Sequence, residues 1–364
     1  MSNDKLIYKL ALSFIPNIGC IHAKNLVSYC GGIEKVFSIK KKEILKIPGI
    51  GEKKAEDIVN NNALKIAETE LKKLENKDIS LLFYLDEEYP SRLKNYPDSP
   101  LLLYKKGNAN INPDRTVAII GTRNADAYGT TQCEKLIEEL TPYHCTIISG
   151  LAYGIDTCAH RKSVELDVPN IGILGTGIDS IYPSTNNKLA EAVIKNGALL
   201  SEFQLGTKPD RENFPQRNRI IAAMSDVIVV IQSAIKGGSI ITAEYANNYN
   251  KDVFAIPGKV TDEMSMGCNH LIKTHKAHLC TSAKDIAYIM RWDQRSAPKQ
   301  MELYPDLNDK EESLFKLIKD KKEIGMESLL YISTFSISEL SSLLLNLEFK
   351  GLVKSLPGKK YILA

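Results

Sequence analysis

From residue 116 to about residue 290 the chain alternates short, almost uninterrupted apolar runs with segments of helical spacing. The runs are TVAIIGT, CTIISG, NIGILGTG, GALLSEF, DVIVVIQ and DVFAIPG. A strand that is apolar at consecutive positions has two faces to bury, which is the condition of a central strand in a parallel sheet. Helical patterns such as 129–140 and 186–196 lie between the runs. This alternation predicts an α/β fold with a Rossmann-like, doubly wound sheet.

The flanks carry other patterns. In residues 1–75, FIPNIGCIHAKNLVSYCGG and KIPGIGEKKAEDIVNN each place Pro-x-Ile-Gly before an amphipathic helix. Gly19, Gly49 and Gly51 let the chain turn between two helices with amides exposed at the start of the second, a geometry that accepts a phosphate. Lys24, Lys53 and Lys54 follow the turns. The segment resembles a tandem helix-hairpin-helix domain, a family of sequence-independent DNA binders. The second copy is the better match, since Asn17 and Cys20 depart from the pattern in the first. Gly49, Gly51, Lys53 and Lys54 are therefore candidate secondary DNA contacts, set against a hairpin kept for packing or protein contact.

Residues 76–115, punctuated by four prolines, read as a connector with one or two strands that opens a domain of residues 76–295. Residues 305–364 hold three short helical patterns and then GLVKSLPGKKYILA, a hairpin turning at Pro357 and Gly358. That order is a winged helix. Its candidate recognition helix, SISELSSLLLNLEF, carries two glutamates and no cation before Lys350, which favours protein contact over DNA reading.

Composition narrows the class of protein. At 364 residues the chain exceeds one ordinary core, and 43% apolar with 25% charged residues is the balance of a soluble globular protein. The N-terminal stretch lacks the apolar core of a secretory signal and no run spans a bilayer, so a cytoplasmic protein without a membrane partner is expected. Seven scattered cysteines without a C-x-x-C pair read as reduced core thiols. A net charge of +3 is too small to hold a polyanion at long range, so any phosphate contact must be local.

Several strand ends in the middle region terminate in small or polar residues: Gly121, Thr122 and Arg123; Ser149 and Gly150; Gly175, Thr176 and Gly177; and Gly237, Gly238 and Ser239. In an open parallel sheet these carboxyl ends line one crevice. Glycines there let amides approach an anion, a following helix adds its positive end, and Ser239 and Thr242 add hydroxyls. Lys236 supplies a point charge and Arg123 a planar fork. Arg217, Asn218 and Arg219 follow Pro215 at a helix start, where cations need an acidic partner such as Glu202 or Glu212, or a bound phosphate. Neither G-x-G-x-x-G after the first strand nor G-x-x-x-x-G-K-[ST] is present, so no cofactor is expected. GCNHLIKTHKAHLC lacks zinc-knuckle spacing, and no metal is expected. Asp156 and His160, four apart, could share a helix face as an acid–base pair or serve as a structural pairing.

Taken in order, AIIGTR, ISGLAYGIDTCAHR, ILGTGIDSIYP, FPQRNRIIAAMSDVIVVIQ, KGGSIITAEYA, VFAIPG and GCNHLIK resemble the DprA (Smf) family of DNA-processing proteins, over about residues 80–290. The resemblance implies an extended Rossmann-like domain that binds and protects single-stranded DNA, forms a homodimer and loads the RecA recombinase during natural transformation, without being an enzyme. It places the strand on Arg123, Lys236 and the turn Gly237, Gly238 and Ser239, with Arg217 and Arg219 as rim or structural contributors. One departure is His275, where the family more often has glycine. Phe214, Tyr182 and Tyr153 are candidates for base stacking. A competing reading takes MSDVIVVIQ and GGSIITAE as similar to the lysine-decarboxylase-like phosphoribohydrolases, with Glu244 stabilising a ribosyl cation. A third, a winged-helix transcription regulator, would prefer duplex DNA.

Overall fold

The apolar runs form the centre of a nine-stranded sheet in the computed structural model, which describes residues 3–292, 307–321, 323–333, 335–356 and 358–363. Its strands are β1 (Ser80–Phe83), β2 (Leu102–Lys106), β3 (Thr116–Ile120), β4 (Thr146–Ser149), β5 (Asn170–Leu174), β6 (Ala198–Ser201), β7 (Val227–Val230), β8 (Asp252–Ala255) and β9 (His278–Leu279). The order across the sheet is β1-β2-β6-β5-β4-β3-β7-β8-β9. From β6 to β9 every pairing is parallel; β1 and β2 extend the β6 edge antiparallel. Chain order reverses between β3 and β7, and such a switch point opens a crevice at the carboxyl ends of the two strands.

Among the described residues, thirteen α-helices accompany this sheet. Six precede it: α1 (Asn3–Ser13), α2 (Cys20–Cys30), α3 (Ile33–Val36), α4 (Lys41–Ile44), α5 (Glu52–Val59) and α6 (Ala63–Leu74). Seven alternate with the strands: α7 (Ala127–Leu140), α8 (Ile155–Glu165), α9 (Asn187–Asn196), α10 (Asn213–Met224), α11 (Gly238–Asn248), α12 (Met266–Lys273) and α13 (Ala283–Met290). The strand period of two divides the core. Val117 and Ile119 pack with Leu136 of α7 and Ala159 of α8, whereas Ala118 and Ile120 pack with Ile220 of α10 and Ala243 of α11. Both faces are covered, which is why the strands read as unbroken apolar runs.

The N-terminal helices share a third core with the sheet, joining Leu10, Leu26 and Ala67 to Leu102, Tyr104, Leu199 and Leu205. A polar clasp reinforces it. Glu70 of α6 is buried and accepts hydrogen bonds from the Tyr104 hydroxyl at 3.1 Å and the Leu205 amide at 2.6 Å.

Residues 295–364 form a separate compact unit. It comprises α14 (Asp309–Lys321), β10 (Glu323–Gly325), α15 (Met326–Ile332), α16 (Ile337–Phe349), β11 (Val353–Leu356) and β12 (Lys360–Leu363), with the strands in the order β10-β12-β11. Leu314, Ile318, Leu340, Leu344, Leu347 and Val353 form its core. The expected turn at Pro357 lies outside the described residues. Among the described residues, no single helix is long and apolar enough to cross a membrane, and no three His, Cys, Asp or Glu side chains converge as metal ligands.

Candidate functional site

A cavity of about 750 Å³ lies where β3 and β7 end. Ile120, Gly121, Thr122 and Arg123 line it from β3; Ser233, Ala234, Gly237, Gly238, Ser239 and Thr242 line it from the turn after β7 and the first residues of α11. The strand ends are tied together. The Thr122 amide donates to the Gln232 carbonyl at 2.7 Å, and the Ile155 amide donates to the Thr122 carbonyl at 3.1 Å. Gly154, at φ +71, permits the second contact: a Cβ there would lie 2.2 Å from the Thr122 oxygen. The turn after β4 is thereby held against the turn after β3.

Arg123 stands with its guanidinium 5.1 Å from the Phe214 ring centroid, a cation–π arrangement that limits where the fork can point. Phe214 also meets Tyr182 at 5.7 Å between centroids, and a Cβ on Gly175 would come within 2.9 Å of its ring. Gly175 thus serves the cavity by leaving room for Phe214. Phe214 and Tyr182 line the cavity, whereas Tyr153 is exposed and does not.

At the opposite wall α11 presents its N-terminus. Gly237 is the N-cap residue, without a side-chain hydrogen bond to cap the helix, and a Cβ on Gly238 would meet nothing within 4 Å. Open space beside uncapped amides suits an anion. The Ser239 hydroxyl donates to Ser233 Oγ at 2.7 Å, and Thr242 is buried in the wall. Lys236 is exposed on the turn before the helix and does not line the cavity.

Arg217 is 3% exposed, and its Nη1 donates to the Ile173 carbonyl at 3.0 Å. Its Nε has no partner. Burial pushes this guanidinium down to about 10; Asp156 opposes that shift and Arg123 adds to it. Asp156 is occupied elsewhere: its Oδ2 accepts from the Gly150 amide at 3.1 Å and the Ala152 amide at 3.4 Å. Gly150 is glycine because Arg217 fills the place of its side chain, with Nη1 only 1.6 Å from an ideal Cβ.

Further sequence candidates lie away from the cavity. Arg219 is turned inward, paired with Glu202 and donating to the Asp98 carbonyl at 2.7 Å, so the acidic-partner alternative describes it. Ser149 is buried, with its hydroxyl donating to the Ile119 carbonyl at 2.6 Å. Glu244 is exposed and does not line the cavity, which removes the side chain that the phosphoribohydrolase reading requires. No hydrogen bond joins His160 to Asp156 among the described residues: His160 is fully buried, and its Nδ1 lies 2.8 Å from Asn170 Oδ1. Asn218 lines the cavity. Arg211 and Asp210 also line it and went unread; the only signal was a charged pair shortly before the Phe-Pro segment.

In the N-terminal hairpins Gly49 takes φ +81 at the second turn, and Lys53 is exposed. Lys54 Nζ lies 2.8 Å from His22 Nε2, and Lys24 is spent on the Pro97 carbonyl at 3.0 Å and Ser99 Oγ at 2.6 Å. The first hairpin's lysine therefore ties it to the chain before β2.

A Rossmann-like sheet with a cavity at its switch point, lined by an arginine and by the start of a helix, defines the class: an α/β protein with a doubly wound, mostly parallel sheet. Residues 80–291 match the family described as DNA recombination-mediator protein A, and residues 298–359 match the DprA winged helix domain. The chain belongs to this family of DNA recombination mediators. It is 29% identical to Protein Smf of Synechocystis over 99% of both chains. It is 40% identical to DNA processing protein DprA of Streptococcus pneumoniae over 56% of this chain and 71% of that one. The crystal structure of the S. pneumoniae protein superposes with a TM-score of 0.68 at 32% identity, covering 80% of this chain and 98% of that one. A Helicobacter pylori DNA processing protein A structure, described by its single-stranded DNA binding mode, aligns with a TM-score of 0.54 at 29% identity over 59% of this chain and 97% of that one.

Proposed function

We propose that this chain binds single-stranded DNA along the cavity at the β3–β7 switch point, shields it, and as a homodimer delivers it to the RecA recombinase during natural transformation or recombination. The observation that carries the reading is the convergence of Arg123 and the open N-terminus of α11 in a chain of this family. An uncapped amide terminus and a fixed guanidinium bind a backbone phosphate without reading sequence. Gly237, Gly238, Ser239, Thr242, Gly121 and Thr122 complete the strand-binding wall, with Lys236 at its rim and Arg217 and Asn218 on its inner side. Gly49, Gly51, Lys53 and Lys54 act as a secondary contact to a DNA backbone. Dimerisation and RecA delivery rest on family membership alone.

The test is an electrophoretic shift of the full chain with oligothymidylate. Arg123→Glu should weaken binding by about tenfold or more, and Lys236→Glu less, because it stands at the rim. Both variants should keep the wild-type thermal transition. Unchanged affinity in Arg123→Glu would sink the assignment.

A further inference from the structure

The cavity presents more hydrogen-bond donors than one backbone phosphodiester uses. Arg123, Arg211 and Arg217 line it against two carboxylates, and each carboxylate already accepts from backbone amides. Asp156 Oδ2 accepts from Gly150 and Ala152, and Asp210 Oδ1 accepts from the Glu212 amide at 2.9 Å. Arg217, 97% buried, keeps an Nε without a partner, and among the described residues it has no ion pair. The uncapped amides of α11 face the same space. A phosphodiester brings one charge and two free oxygens. A phosphomonoester brings nearly two charges and three strong acceptor oxygens, which answers a surplus of donors and two arginines that repel each other.

We infer that the inner end of this cavity selects a phosphomonoester dianion over a phosphodiester, with Arg217, Arg123 and the first amides of α11 as its ligands. The inference rests on the strand-binding reading and deepens it. Two sources present that chemistry: the phosphorylated end of a DNA strand, and a free nucleoside monophosphate. The cavity's volume lies within the usual range for a site holding one small ligand, and the Tyr182 and Phe214 rings give the base or sugar an apolar wall.

The experiment compares esters on the full-length chain. Short oligothymidylates carrying a hydroxyl, a phosphate or a methyl phosphate at the 5′ end, and a matching set at the 3′ end, are titrated by fluorescence anisotropy. In a second arm, thymidine 5′-monophosphate and its methyl ester are titrated by calorimetry. The methyl ester adds a single methyl and removes one charge and one free phosphate oxygen. Phosphate-ended strands should bind about three- to tenfold tighter than methyl-phosphate-ended ones at one of the two ends. If the site serves free nucleotides, the monophosphate shows that preference and the strands do not. Arg217→Lys should narrow the gap; if that variant fails to fold, the ester comparison on the wild-type chain decides alone. Equal affinity for both esters in both arms overturns the inference and leaves strand binding intact. Failure of every strand to bind overturns the strand-binding reading instead, and the nucleotide arm then decides the ester question by itself.

Discussion

Arg217 and Arg219 stand two residues apart on α10, and a helix turns about 200° over that interval, so they cannot share a surface. One lines the cavity; the other pairs with Glu202 on the far side. The sequence grouped them because both follow Pro215, and only the facing elements separate their roles. Arg123 was legible for a different reason: it comes three residues after the end of a buried strand, where the chain leaves the sheet and the side chain reaches the crevice. His275, the departure from glycine, adopts φ +57, the left-handed region where glycine is at ease. Gly150 and Gly238 make opposite predictions. Gly150→Ala would drive its methyl into the Arg217 guanidinium and toward Asp156 Oδ2, 2.6 Å away, and should cost about 2 kcal/mol of stability together with strand affinity. Gly238→Ala has open space, so its stability should stay within about 0.5 kcal/mol of wild type while its added methyl obstructs the ligand. Urea midpoints alongside anisotropy titrations separate the two; a Gly150→Ala variant as stable as wild type would contradict the packing described.

At the scale of elements, the buried parallel strands were the most legible part, because covering by helices on both faces imposes continuous apolar sequence. The edge was less so. β1 and β2, read as part of a connector, belong to the sheet itself through a β2–β6 pairing about a hundred residues apart, and nothing local in either strand encodes that partner. The strand order that creates the switch point is equally non-local. Docking of α6 on this edge is likewise a long-range event, and Glu70 is its polar fastening. Glu70→Ala would leave the Leu205 amide and the Tyr104 hydroxyl buried without acceptors, a loss of about 3 kcal/mol. Chemical denaturation would read this as a lower midpoint. A midpoint equal to wild type would show that the N-terminal helices are held by apolar contact alone.

Two properties belong to the whole molecule. The first is acid sensitivity. Burial holds the His160 imidazole below its ordinary value, with the Asn170 contact opposing it, so the folded chain binds fewer protons than the unfolded one as pH drops below about 6.5. A depressed histidine gives stability that is fully present above the unfolded pKa and lost as pH falls through it. Between pH 7.5 and 5.5 this one group should lower stability, and His160→Gln should flatten the slope of urea midpoint against pH. An unaltered slope in the variant would assign the sensitivity to another group.

The second property is salt dependence, which ties charge distribution to function. With a net charge of +3, and with acids nearly balancing bases in the sheet-bearing middle, the chain generates little long-range attraction for a polyanion. Affinity must come from the few cations and amides at the switch point. Single-strand binding releases about 0.7 counterion per phosphate neutralised, so three close contacts give a slope of about −2 in log affinity against log salt. A protein wrapped by a broad basic surface would show a far steeper slope. Removing one contact should lower both affinity and slope: Arg123→Ala is expected to flatten the line by about 0.7, whereas Gly238→Ala, which removes no cation, should lower it in parallel. A wild-type slope several times steeper would place the main DNA surface on the lysines of the N-terminal hairpins, and Lys53→Ala would then carry the larger change.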